Sequence, residues 1–211
     1  MKCNVMTHRI DTVIFDLGGV LVDWKPEYLY RKVFNGNEKK VQWFLNNVCT
    51  SAWNAEQDGG RTIEEAENIK IAEFPEHEDL IRLFYAEWHQ MFSGPIEENV
   101  ALFKALKASG NYKIYALTNW SAEKWALALE LFPFFNYFDG VVVSGQEKMR
   151  KPYPEIYKLI INRFQINPEK TIFIDDNEEN VIAAKALKLH GIHYKSAQLL
   201  LKEFHSFKLI F

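Results

Sequence analysis

The chain has 211 residues, with 25 Lys+Arg against 28 Asp+Glu, a formal net charge of -3 and 48% hydrophobic residues. That balance excludes the basic footprint of a nucleic-acid binder and the polar composition of a disordered chain, and no run approaches the ~18 apolar residues of a membrane span. Two cysteines, Cys3 and Cys49, are too few for a disulfide framework or a four-ligand zinc site; with no leader-like pattern in the first ten residues, they read as free thiols of a cytoplasmic protein.

In chain order, Val13-Ile14-Phe15 is a continuous apolar run, as in a strand covered on both faces, ending at Asp16 and then Gly18-Gly19. A glycine pair after a carboxylate suggests close approach of backbone to ligand, which makes Gly19 a candidate substrate contact. Residues 24–92 switch to helical periodicity. One or two helices are expected within residues 28–47. Thr62 to Glu65 reads as a capping box opening a helix with Ile63, Ala66, Ile69 and Phe74 on one face. A further helix is expected over residues 77–91, with Leu80, Leu83, Phe84, Trp88 and Met91 on its apolar side. Gly59-Gly60 breaks the helical block and suits a loop dipping toward a site.

After Ser93-Gly94, Pro95 suits a first helical position, in a helix closed by Gly110. Residues 113–117 then read as strand, 121–132 as helix and 141–143 as strand. Pro154 opens the next helix, 171–174 are strand, and a helix through Val181, Ala184 and Leu187 stops at Gly191. A short strand at 192–194 and a weak C-terminal helix finish the chain. Strands alternating with helices of this length specify an α/β fold: a three-layer, Rossmann-like parallel sheet with an all-helical block inserted after the first strand. The expected core is residues 1–23 and 93–211, and the expected cap is residues 24–92.

Ligands of open parallel sheets bind beyond the carboxyl ends of the strands. Four strands here end in polar groups: Asp16; Thr118 and Asn119; Ser144; Asp175 and Asp176. Clustered carboxylates repel unless a cation neutralises them, and a hard cation with oxygen ligands, Mg²⁺, is the natural choice. Lys148, Arg150 and Lys151 supply basic groups for an anionic substrate.

These motifs resemble the haloacid dehalogenase superfamily. FDLGGVLVD matches its first motif, LTN at residues 117–119 its second, RKPYPEIY at 150–157 its third and FIDDNEENV at 173–181 its fourth. The helical insert resembles the C1 cap, and the whole is most similar to bacterial phosphatases of the alpha-glucose-1-phosphate type. The resemblance implies that Asp16 is the nucleophile and a metal ligand, and that Gly18 offers a backbone carbonyl to the metal. It implies that Thr118 binds a phosphoryl oxygen beside Asn119, that Lys151 offsets the charge, and that Asp176, helped by Asp175, holds Mg²⁺. Trp120 is expected to line the substrate pocket, and Trp88 to pack in the core. The implied partner is a small phosphorylated metabolite, probed by a monomer or homodimer.

One departure stands out. Most phosphatases of this superfamily carry an acid–base aspartate two residues after the nucleophile, where this chain has Gly18. The missing group can come from the cap, from substrate, or from Asp23, which is near in sequence. Two other readings remain open: a 2-haloacid dehalogenase, which needs no metal, and a catalytically weak member that binds a phosphorylated ligand or a protein.

Overall fold

The computed structural model describes residues 9–211, so Cys3 lies outside the described residues. The first strand, β1 (Thr12–Phe15), is wholly buried. The chain then turns through Gly18-Gly19 into β2 (Val22–Trp24) and a helical region: α1 (Pro26–Val33), α2 (Glu38–Asn47), α3 (Ser51–Asp58), α4 (Ile63–Glu73) and α5 (Glu78–Ala86). It returns as β3 (Phe92–Pro95), followed by α6 (Glu97–Ser109) and β4 (Lys113–Thr118). The rest runs α7 (Trp125–Leu131), β5 (Gly140–Val143), α8 (Ser144–Glu147), α9 (Pro154–Arg163), β6 (Thr171–Asp175), α10 (Glu178–Ala186), β7 (His190–His193) and α11 (Ala197–Ser206).

Five strands form one parallel sheet in the order β5-β4-β1-β6-β7. Alternation along the strands explains why both faces are covered. Val13, Phe15, Ile114, Ala116, Ile172 and Ile174 enter one apolar cluster, while Ile14, Tyr115, Leu117 and Phe173 enter the other. The architecture is the Rossmann-like core with an inserted helical region that the motif order implies.

Several elements differ from the sequence reading. Pro95 ends a strand instead of starting a helix. Phe92–Pro95 pairs antiparallel with Val22–Trp24, so two short strands form a ribbon between the sheet and the helices. Its register shifts at Asp23/Trp24, and the helix after it begins only at Glu97. The expected helix over residues 77–91 is interrupted: α5 ends at Ala86, and residues 88–91 form a tighter 3-10 turn. Residues 122–124 are likewise 3-10 ahead of α7. Ile69 is solvent-exposed, whereas Ala66 on the same helix is buried. Thr62 caps α4 by accepting from the Glu65 backbone N–H at 3.2 Å.

Gly191 does not stop a helix. α10 ends at Ala186, and Gly191 sits inside β7, where a Cβ would meet Val181 Cγ1 at 2.9 Å. The glycine is there because sheet and helix touch. Ser144 opens a single helical turn, α8, where a plain strand end was expected.

Candidate active site

The parallel register places the polar strand ends on one rim. Phe15 is level with Ala116 of β4 and Ile174 of β6. The next residue, Asp16, donates its backbone N–H to the Ile174 carbonyl at 2.8 Å and so lies beside Asp175. Asp16 and Asp176, 160 positions apart in sequence, are thereby neighbours. Asp16, Asp175 and Asp176 each offer a carboxylate oxygen, and these three atoms lie within 4.8 Å of one another.

Lys151 is the group that makes this tolerable. Its side chain is fully buried, with Nζ 3.0 Å from Asp16 Oδ1 and 2.6 Å from Asp175 Oδ2. Burial alone would lower the lysine pKa, but the two carboxylates outweigh it and hold the ammonium above its ordinary value. Burial pushes the Asp16 carboxyl up to about 8, against the downward pull of Lys151, with Asp175 and Asp176 adding to the rise. Asp176 is also raised, by partial burial and then by Asp175. An acid site of this kind is short of positive charge. One ammonium faces three carboxylates, and the donor set is all oxygen, so it fits a hard divalent cation. Asp16, Asp175 and Asp176 are the residues to hold it.

The three acids are not equivalent. Asp175 Oδ1 accepts from Asn177 N and Asn180 Nδ2, both at 2.9 Å, while its Oδ2 takes Lys151. It is a hub that fixes its neighbours. Asp16 Oδ1 accepts from Leu17 N at 2.7 Å and from Lys151. Asp176 is exposed at the rim. Gly19 explains how Asp176 comes so close. At φ +71° it occupies the left-handed region, and a Cβ there would meet Asp176 Oδ2 at 2.3 Å. Its N–H donates to Val22 O at 2.9 Å, so Gly19 shapes the metal-facing turn and has no amide left for a substrate oxygen. Gly18, by contrast, has ordinary backbone geometry, and a Cβ added there would meet nothing within 4 Å.

Thr118, at the end of β4, is completely buried, and its hydroxyl has no hydrogen-bond partner among the described residues. Such an orphan calls for a ligand oxygen. Asn119 is employed differently from the expected substrate contact. Its amide oxygen accepts from Lys151 N at 2.9 Å and its amide nitrogen donates to Lys151 O at 3.0 Å, locking the backbone that carries the lysine. Arg150 reaches away to Glu56 of α3 at 3.0 Å. Lys148 adopts φ +54° in the turn after α8.

A cavity of about 60 Å³ lies between this rim and the helices, lined by Gly18, Trp24, Asn54, Asp58, Trp88, Phe92, Asn119 and Trp120. Trp120 is one wall of this cavity. Trp88 is both core and wall, stacked edge-on to Trp120 at 5.4 Å. The indole N–H groups of Trp24 and Trp120 are buried without partners among the described residues. Gly59-Gly60 packs on the rim: a Cβ on Gly60 would meet Lys148 Cγ at 2.9 Å and Gly145 O at 3.2 Å. Asp23 is spent elsewhere, on Tyr28 OH and Lys25. Asp58 is the acid the sequence reading missed. Its only signal was its place immediately before the glycine pair.

This sheet and its acidic rim are those of a Rossmann-like hydrolase. A family model described as haloacid dehalogenase-like hydrolase matches residues 10–188, and the chain belongs to that family. It is 31% identical over 188 residues to the phosphorylated carbohydrates phosphatase of Thermotoga maritima, across 87% of this chain and 84% of that protein. It is 26% identical to phosphoglycolate phosphatase of Salmonella typhi, across 84% of this chain and 78% of that one. Among solved structures it is similar to the HAD family enzyme BT-2542 of Bacteroides thetaiotaomicron in complex with magnesium and inorganic phosphate. That likeness has a TM-score of 0.64 at 26% identity and covers 88% of this chain and 94% of the other. No helix among the described residues is long and apolar enough to cross a membrane.

Proposed function

We propose that this hydrolase is a magnesium-dependent phosphomonoesterase that cleaves a small phosphorylated metabolite, a sugar phosphate, through an aspartyl-phosphate on Asp16. The observation that carries the reading is the Asp16–Lys151–Asp175 row with Asp176 beside it and the partnerless Thr118 hydroxyl at the next strand end. Asp16 attacks phosphorus, the bond from phosphorus to the leaving oxygen breaks, and water then cleaves the phosphoenzyme to inorganic phosphate and free carboxylate. Bound magnesium neutralises the carboxylates and the phosphoryl oxygens so that one anion can approach another. Lys151 is fixed before substrate arrives and stabilises the charge that builds up at the phosphoryl group. Thr118 donates its hydroxyl to a phosphoryl oxygen, and the Gly18 carbonyl would be a further oxygen ligand for the metal. Asp175 and Asn119 hold Lys151 in place.

Substrate choice falls to residues 24–92 acting as a cap over a core of residues 1–23 and 93–211. Trp24 and Trp120 line a cavity with room for a handful of waters at about 10–15 Å³ each. The ribbon Val22–Trp24 and Phe92–Pro95 is where the cap pivots to admit a larger leaving group. The similarity to a phosphorylated carbohydrates phosphatase supports a sugar phosphate as substrate, and a sugar 1-phosphate is the member of that class we propose. The dehalogenase alternative is disfavoured by the same rim, because metal-free displacement at carbon leaves three clustered carboxylates with a single cation. The test is phosphate release from a panel of phosphomonoesters with Mg²⁺ and with EDTA. Metal-dependent release supports the reading. Halide release from 2-chloropropionate in EDTA, with no phosphate release from any ester, overturns it.

A further inference from the structure

We infer that Asp58, carried on the cap side of the cavity, is the acid–base group that the first motif lacks at Gly18. This rests on the phosphatase reading and deepens it. Gly18 and Asp58 line the same small cavity beside the rim, one from the turn after β1 and the other from the end of α3. Asp58 and position 18 therefore border the same space. That space is open: nothing lies within 4 Å of a Cβ built on Gly18.

Asp58 is held as a working side chain is held. Its Oδ2 accepts from Asn54 Nδ2 at 3.2 Å. Asn54 is fixed in turn by Tyr85 OH at 2.8 Å, Tyr85 by Gln57 Nε2 at 3.0 Å, and Gln57 by Arg61. The Asp58 carbonyl accepts from Ser144 Oγ, and Arg150 ties the preceding turn to the core through Glu56. Two links therefore anchor the end of α3 to the core beside the catalytic rim.

The side chain is also spare. Among the described residues Asp58 has no salt bridge, although two cations are near. Arg150 is paired with Glu56, and Lys151 with Asp16 and Asp175. A half-buried carboxyl that makes no ion pair among the described residues, on a residue lining a cavity beside Gly18, Trp24 and Trp120, fits a ligand-directed role. Burial pushes its carboxyl up to about 7, against the pull of Arg150 and Lys151, so proton gain and loss are both accessible near neutrality.

The step balances. As Asp16 takes phosphorus and the ester bond breaks, the Asp58 proton passes to the departing oxygen, which leaves as an alcohol. The Asp58 carboxylate then removes a proton from the water that attacks the phosphoenzyme, which restores the acid. Delivered from the cap, this proton is available only when the cap is closed over substrate.

The experiment measures kcat and kcat/KM with Mg²⁺ for p-nitrophenyl phosphate, phenyl phosphate and glycerol 2-phosphate, a series of increasingly basic leaving groups, in wild type, Asp58→Asn and Gly18→Asp/Asp58→Asn. With p-nitrophenyl phosphate, whose leaving group needs little protonation, Asp58→Asn is expected to lose least in kcat/KM, while kcat falls for every ester because hydrolysis of the shared phosphoenzyme loses its base. The loss in kcat/KM then deepens along the series to about 10²–10⁴-fold for glycerol 2-phosphate. The double variant is expected to recover much of that loss. A uniform loss of kcat/KM along the series, a change confined to KM, or no change overturns the role of Asp58 while leaving the phosphatase intact. A wild type that releases phosphate from no monoester overturns the phosphatase reading and this inference with it. A far-UV circular dichroism spectrum and melting temperature matching wild type show that Asp58→Asn is folded.

Discussion

Replacing Lys151 by Met is the most informative single perturbation of the rim. The methionine has nearly the same length and keeps the packing over Phe173, which lies 5.7 Å from the ammonium in the parent. It removes one buried positive charge held at 2.6 Å and 3.0 Å by two buried carboxylates. Deleting one partner of a buried ion pair costs about 3–5 kcal/mol, because the other partner is left charged and dry. Here two carboxylates lose their counter-charge. Part of the penalty is relieved by protonation: Asp16 is already pushed up to about 8 by burial, and Lys151 is what pulls it down. Without the lysine the acid rises further, and a carboxyl raised in the folded state costs stability that grows as pH rises above its unfolded pKa. Below about pH 8 Asp16 is largely protonated in both proteins, so its share of the deficit opens as pH passes that value, and the deficit is smaller near pH 5 than near pH 9. Urea denaturation of metal-free wild type and variant at those two values reads it directly. A deficit below about 1 kcal/mol at pH 9, or one that grows on acidification, would refute the electrostatic reasoning.

Other expectations follow from the same contacts. Gly19→Ala puts a methyl 2.3 Å from Asp176 Oδ2 at a left-handed position, so Mg²⁺ affinity measured by calorimetry should fall by at least tenfold, while melting drops only by the ~1–2 kcal/mol of the backbone strain; unchanged affinity would show that Asp176 is no ligand. Glu147 is held below the usual carboxylate range by Arg163, which grips both its oxygens at 2.7 and 2.8 Å. Glu147→Gln should thus cost up to ~1 kcal/mol at pH 7, a difference that fades as pH falls through the depressed pKa of Glu147; urea melts at pH 7 and pH 3 check it. Thr118→Val removes a hydroxyl without a protein partner, so stability should hold or rise while kcat/KM for phosphomonoesters falls; a destabilised variant would mean the hydroxyl is satisfied within the fold.

The fold was readable where burial is two-sided. The apolar runs at Val13, Ile114 and Ile172 alternate into two covered faces, and no other sheet geometry accommodates them. The rim was readable because strand-end polar residues recur in each βα unit and the parallel register brings them level. What stayed hidden depends on long-range contact. Pro95 fits a helix start locally, yet pairing with Val22 across some seventy residues makes it a strand end. Gly191 looks like a helix stop until Val181 is seen packed against it. Asn119 reads as a site residue, but only the folded chain shows its amide spent on Lys151. Asp58 had no motif of its own. Its meaning appears once α3 is laid over the turn at Gly18.

The central claim is that Asp16 is the atom donor of a phosphoenzyme intermediate. Mixing the Mg²⁺-loaded protein with a phosphomonoester it hydrolyses, quenching in acid within a turnover and mapping the peptides by mass spectrometry tests it most directly. One phosphoryl group on the peptide bearing Asp16, absent from Asp16→Asn and cleared by hydroxylamine, is the predicted result. Phosphate released at full rate by Asp16→Asn, or a phosphoryl group carried by any other residue, would contradict it.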